Sequence, residues 1–133
     1  MSPEIYLDTN ATTPVLPQAL AAACRTMQEG YGNPSSSHSS GLVAQDLRES
    51  VRRKAASLLG AGAGRLLFVS GATEGIQTAV LSGLCALRAR RAAGDTRARL
   101  LVYGATEHKA VPESLAYWNE LLGLDLEIRA LPV

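Results

Sequence analysis

Two short stretches carry side chains that could do chemistry. Residues 66–83 read LLFVSGATEGIQTAVLSG, an apolar run that passes through Ser70-Gly71-Ala72-Thr73-Glu74 into a helical pattern. A helix entered through such a corner offers unpaired backbone N–H groups at the positive end of its dipole, which suits an anion. Thr73 adds a hydroxyl donor, and Gly71 lets the backbone approach a bound group closely. The alternative is a plain helix cap by Ser70 or Thr73, with Glu74 favourable in the first turn. The second stretch, YGATEHKAV, follows another apolar run and sets Glu107-His108-Lys109 at a helix start. A histidine there could stack over a flat ring, or simply cap the helix.

The kind of phosphate ligand can be narrowed. No G-x-x-x-x-G-K-[ST] is present, which excludes a nucleoside triphosphate P-loop. Gly71 and Gly75 do not form G-x-G-x-x-G, and Asp95 is not on a second strand where a ribose-binding acid belongs. A single phosphate on a small cofactor fits better than a dinucleotide.

The elements that must position these residues follow from hydrophobic periodicity. Ile5-Tyr6-Leu7 is a short extended piece before the turn-forming DTNATTP. Pro14 and Pro17 suit a helix start, and Leu16, Leu20, Ala23 and Met27 recur at helical spacing through Glu29. Gly30–Gly41 reads as a loop. Val43, Leu47, Val51, Ala55 and Leu58 then mark one face of a helix ended by Gly60. From Leu66 the pattern alternates: a strand to Ser70, and a helix from Thr73 to Ala92 with Ile76, Val80, Leu84 and Leu87 inward. Next come a strand over Leu100–Tyr103 and a helix over Glu107–Leu122 with Val111, Leu115, Trp118 and Leu122 on one side. The last strand alternates Leu124, Leu126, Ile128 and Ala130 with polar residues. This βαβαβ order predicts an α/β fold with a mostly parallel sheet and ligands at the carboxyl ends of its strands.

Composition bounds the function. The chain has 133 residues, 47% hydrophobic and 19% charged, enough for one core. A net charge of +1 gives no general attraction to nucleic acid or to acidic membranes. Arg88, Arg90, Arg91, Arg97 and Arg99 surround a helix end at Gly94, which reads as a solvated, dipole-matched terminus rather than a binding patch. No apolar run is long enough to span a bilayer, and MSPEIYLDTN lacks a signal-peptide core. Two cysteines without motif spacing point to a reducing, cytoplasmic setting and to no metal site.

Four motifs in order, YLDTNATTP (Tyr6–Pro14), GNPSSSHSSG (Gly32–Gly41), FVSGATEG (Phe68–Gly75) and EHKAV (Glu107–Val111), give a more specific reading. Together they resemble the N-terminal third of the cysteine desulfurases, pyridoxal-phosphate enzymes of the class V aminotransferase group. The resemblance implies a partial three-layer α/β fold, the N-terminal portion of fold type I of the pyridoxal-phosphate transferases. Residues 1–15 would be an entry segment and 16–133 the start of the large cofactor-binding domain. Ala72 and Thr73 would bind the phosphate of pyridoxal 5′-phosphate, and His108 would stack on its ring as the catalytic histidine. Asn10, Ala11, Thr12 and Asn33 would lie near the substrate mouth, which in this family a second subunit helps to build. One departure stands out: Gly75, Ile76 and Gln77 follow the Thr-Glu pair where relatives carry asparagines.

The same resemblance places the remaining machinery elsewhere. The Schiff-base lysine, the acid that holds the pyridinium N–H and the persulfide-forming cysteine lie downstream of these motifs in the family. Lys54 reads as a solvated charge, and Lys109 belongs to the ring-stacking motif rather than the lysine loop. Cys24 and Cys85 read as small helix-packing residues. The expected partners are therefore a complementary chain carrying the lysine and cysteine or a homodimer mate, L-cysteine as substrate, and a sulfur acceptor protein. Alternatives are a noncatalytic interaction subunit and an independent phosphate-binding module. A sheet of three strands leaves edges open and helix stripes uncovered, so the isolated chain is expected to be marginally stable.

Overall fold

The computed structural model describes residues 5–62 and 64–132; Met1–Glu4 of the entry segment, Ala63 and Val133 lie outside them. The chain divides into two compact units, residues 1–67 and 68–133.

In the first unit, the segment from Ile5 leads into a turn at Thr9–Ala11. The Tyr6 hydroxyl clasps this turn, 2.8 Å from the Asp8 carbonyl oxygen and 3.0 Å from that of Thr12. Helix α1, Pro17–Glu29, starts with proline at its first position, as expected where an N–H would go unused. Its stripe of Leu20, Ala23 and Met27 meets no core, because α1 buries no residue. Helix α2, Ser39–Leu58, takes in the last three residues of the expected loop. His38 makes the difference: its Nδ1 accepts the Gly41 N–H at 3.4 Å, supplying a cap that composition did not signal. Only Gly41 and Ala44 of α2 are buried. Gly32 and Gly41 are required sterically. A Cβ on Gly32 would stand 2.0 Å from the Ser40 carbonyl oxygen, and one on Gly41 would stand 2.4 Å from that of Ser36. A serine-rich loop with this close a backbone approach is ordered by its own turns.

The second unit holds helix α3, Ala72–Ala92, strand β1, Leu100–Gly104, helix α4, Ala110–Leu121, and strand β2, Glu127–Leu131. The strands pair in parallel with Leu101 opposite Ile128 and Tyr103 opposite Ala130. Leu84, Leu124 and Leu126 form the buried core, with Val80, Leu87, Leu101, Trp118 and Leu122 packed against it. Val80, Leu84 and Leu87 of the stripe expected on α3, and Trp118 and Leu122 of the stripe expected on α4, are thus packed in this core. Trp118 Nε1 donates to Gln77 Oε1 at 3.0 Å, tying α4 to α3. Asn119 fixes the approach to β2: its amide donates to the Leu126 carbonyl at 2.9 Å and accepts the Leu126 N–H at 3.1 Å.

Two expectations are corrected. Among the described residues the sheet has two strands, not three, and Leu66–Ser70 is not one of them. The run is not buried either: Leu67, Phe68 and Val69 are exposed. A strand needs a neighbour, and here β1 and β2 face each other. The helix expected from Glu107 starts at Ala110, because residues 105–109 form a turn in which the Glu107 N–H bonds to the Gly104 carbonyl at 3.0 Å.

The arginine cluster closes the far end of α3. Asp95 accepts from Arg90 at 2.6 Å and from Arg97 at 2.9 Å. Arg97, then Arg90, hold its carboxyl well below the usual carboxylate range. Arg91 donates to the carbonyls of Leu124 and, at 2.9 Å, Ala98. These guanidiniums are occupied in structure.

Candidate functional site

The candidate site is the corner that opens α3. Gly71 is the N-cap, in extended backbone, and no side chain caps the helix. The first intrahelical bond runs from the Gly75 N–H to the Gly71 carbonyl at 3.1 Å. The N–H groups of Ala72, Thr73 and Glu74 therefore precede the ladder, as helix geometry dictates. An added Cβ at Gly71 would meet nothing within 4 Å, and residues 71–74 are all exposed, so the corner is open to solvent. Thr73 is exposed beside them.

The hydroxyl cap considered from sequence is not formed. Instead, Glu74 Oε2 accepts both the Ser70 N–H and the Ser70 Oγ–H, each at 2.6 Å. The Ser70 hydroxyl, then its N–H, lower the Glu74 carboxyl below its ordinary range. The carboxylate is thereby held on the incoming chain, one residue upstream of the N-cap.

His108 belongs to the same compact unit, in the turn between β1 and α4. Its exposed ring is anchored on one side, where Nδ1 accepts the Ala110 N–H at 3.1 Å. In the neutral ring the proton then sits on Nε2. The face of the ring and Nε2 remain available to a ligand. Lys109, the N-cap of α4, is exposed next to it.

The other candidate residues lie in the first unit. Asn10 and Ala11 lie in the turn clasped by Tyr6, and Thr12 follows it with its carbonyl accepting the Tyr6 hydroxyl. Asn33 is used in its own loop, where Oδ1 accepts the Ser35 N–H at 2.9 Å and its carbonyl accepts the Ser36 N–H. Cys24 and Cys85 are free and exposed rather than packed. Helix α1 buries nothing, and position 85 is rotated about 100° from the buried Leu84. Lys54 is exposed on α2, as read.

Sequence reasoning missed Glu74 as more than a favourable first-turn charge, and Gln77 as more than a departure. The spacing signal for Glu74 was present: an acid three residues after an N-cap commonly reaches back to an upstream N–H. No helix among the described residues is long and apolar enough to cross a membrane.

Comparison with known proteins identifies the context of this corner. The aminotransferase class-V family matches residues 5–132. A cysteine desulfurase of Frankia sp. is 44% identical over 107 residues, covering 80% of this chain and 24% of the relative. A cysteine desulfurase of Dictyoglomus turgidum is 35% identical over 133 residues, all of this chain and 31% of the relative. A human selenocysteine lyase is 41% identical over 75 residues, 55% of this chain and 17% of its own. This chain thus spans about a quarter to a third of the length of the desulfurases it matches. With a match from residue 5 to residue 132, the chain belongs to the class-V aminotransferase family.

Proposed function

We propose that this chain is the N-terminal portion, or a split subunit, of a pyridoxal-phosphate-dependent cysteine desulfurase that moves sulfur from L-cysteine to a protein persulfide for iron–sulfur or thio-cofactor synthesis. The observation that carries this reading is the open set of N–H donors at Ala72, Thr73 and Glu74, in a chain whose relatives are named cysteine desulfurases. The residues present fit the cofactor's phosphate: three backbone donors at a helix N-terminus, the Thr73 hydroxyl, and a glycine whose missing side chain leaves the approach clear.

When bound, pyridoxal phosphate supplies an electron sink for bond cleavage at the substrate carbons. Ala72 and Thr73 hold the phosphate and so fix the cofactor's position. His108, anchored through Nδ1, presents its ring for stacking and Nε2–H as a hydrogen-bond donor. As the catalytic histidine it is suited to hold a proton near the reacting atoms. The segment Asn10, Ala11 and Thr12 and the loop at Asn33 serve the substrate mouth, in this protomer or in a homodimer mate.

The cofactor-linking lysine and the persulfide cysteine are supplied by the polypeptide that completes the fold, with a sulfur acceptor protein as the downstream partner and the cytoplasm as the setting. The same completion adds strands to β1 and β2 in a three-layer fold. A selenocysteine lyase among the relatives supports selenocysteine as an alternative substrate.

Thr73→Ala in the completed enzyme tests the reading. Pyridoxal phosphate retention, followed by absorbance after dilution, should weaken by about 1 kcal/mol or more, the scale of a hydrogen bond to a charged group. Unchanged retention refutes the assignment.

A further inference from the structure

Glu74 poses a problem that its geometry resolves. A carboxylate in the first turn of a phosphate-binding helix repels the ligand, and it also competes for the N–H groups the ligand needs. Here both hydrogen bonds of Glu74 go to Ser70, through the single oxygen Oε2. Ser70 is the last residue before the N-cap, so its N–H lies outside the helix-start donor set. Its hydroxyl is the one side chain immediately upstream that could fold over Ala72–Glu74 as a cap, which would close the donors to a ligand. The carboxylate occupies that hydroxyl and the neighbouring N–H together.

We propose that Glu74 is a positioning residue for phosphate: by latching Ser70, it keeps the Ser70–Gly71 corner open and the N–H groups of Ala72 and Thr73 unblocked. The inference rests on the phosphate role assigned above to Ala72 and Thr73. The lowered Glu74 carboxyl agrees with a charge held in place by donors. The geometry requires an acceptor at this position, not a charge. A glutamine carbonyl oxygen can also accept two hydrogen bonds, while removing the repulsion of the phosphate.

The test compares pyridoxal phosphate with pyridoxal, which lacks the phosphate, by equilibrium titration of the completed enzyme freed of cofactor. Glu74→Ala should lose about tenfold in affinity for pyridoxal phosphate, with pyridoxal affinity within about twofold of the parent. Glu74→Gln should bind pyridoxal phosphate at least as tightly as the parent. Retained pyridoxal binding reports that each variant is folded. An equal loss of both ligands in Glu74→Ala, or a loss in Glu74→Gln as large as in Glu74→Ala, overturns the latch. Thr73→Ala, measured alongside, separates the two claims. If it erodes the preference for pyridoxal phosphate while Glu74→Ala does not, only the latch fails; if it leaves the preference intact, the phosphate assignment fails.

Discussion

Helices α1 and α2 carry apolar stripes of the same spacing as α3 and α4, yet the two pairs end up in opposite environments. Leu84 on α3 and Leu115 on α4 are 4% and 9% exposed, whereas Leu20 and Met27 on α1 are 56% and 75% exposed. On α2, Val43, Val51 and Leu58 are likewise open. The grooved surface lined by Ala22, Thr26, Val43 and Leu47, about 320 Å³, is not filled by any described side chain. Periodicity therefore states that a face is meant to be covered, but not by what. In the second unit the cover is local, since α3, β1, α4 and β2 follow one another and crossover connections fold helices onto their own strands. Among the described residues of the first unit no strand follows either helix.

The largest test of this contrast is a matched pair of truncations. Leu84→Ala should destabilise the second unit by about 2–5 kcal/mol, the cost of a cavity in a core. Leu20→Ala in the same chain should cost less than about 0.5 kcal/mol, as for an exposed site. Denaturant unfolding monitored through Trp118 measures the first, and far-ultraviolet dichroism the second. Comparable losses would mean that α1 is already buried in solution.

A smaller effect separates backbone crowding from apolar burial within the first unit. Gly41→Ala places a methyl 2.4 Å from the Ser36 carbonyl oxygen and 2.8 Å from that of Asn33, so the loop or the start of α2 must give way. The expected cost is about 1–3 kcal/mol, as for overpacking. Hydrogen exchange should quicken at Leu42, whose N–H bonds to the His38 carbonyl at 3.0 Å, and not in β1. Unaltered exchange at Leu42 would show that this loop is not held by its glycines.

The smallest effect concerns the charges at the end of α3. Asp95 has its folded carboxyl lowered by Arg97 and Arg90, so its stabilising contribution is present above the ordinary carboxylate range, about pH 4. It is lost as pH falls through the lower folded value. Asp95→Asn should therefore melt slightly below the parent at pH 7, with the gap closing in acid and in high salt. A gap that widens on acidification would contradict the arrangement.

Much of the candidate site was legible. The corner at Ser70–Glu74 is visible in sequence because an apolar run, a glycine and a helical stripe adjoin, and α3 begins within one residue of the expected position. The boundaries of α1 and the stripes of α3 and α4 were readable for the same reason: a period of 3.6 is written directly in side-chain type. What escaped were events between side chain and backbone. His38 and His108 each turn Nδ1 onto an N–H two or three residues on, moving one helix start earlier and leaving another later than periodicity suggests. Gln77 is polar within an otherwise apolar neighbourhood, and only the arrival of Trp118, 41 residues away, gives it a partner.

The sequence by itself determined which faces are apolar, where the chain must turn and which corner could receive a phosphate, since these depend on residue type and near neighbours. Tertiary structure decided which apolar faces are covered, that Leu66–Ser70 is not a strand of the sheet, and which way Glu74 points. Those outcomes depend on partners brought together in space. A strand exists only beside another strand, a core only between two faces, and a carboxylate goes to whichever donors the folded corner leaves within 3 Å of it.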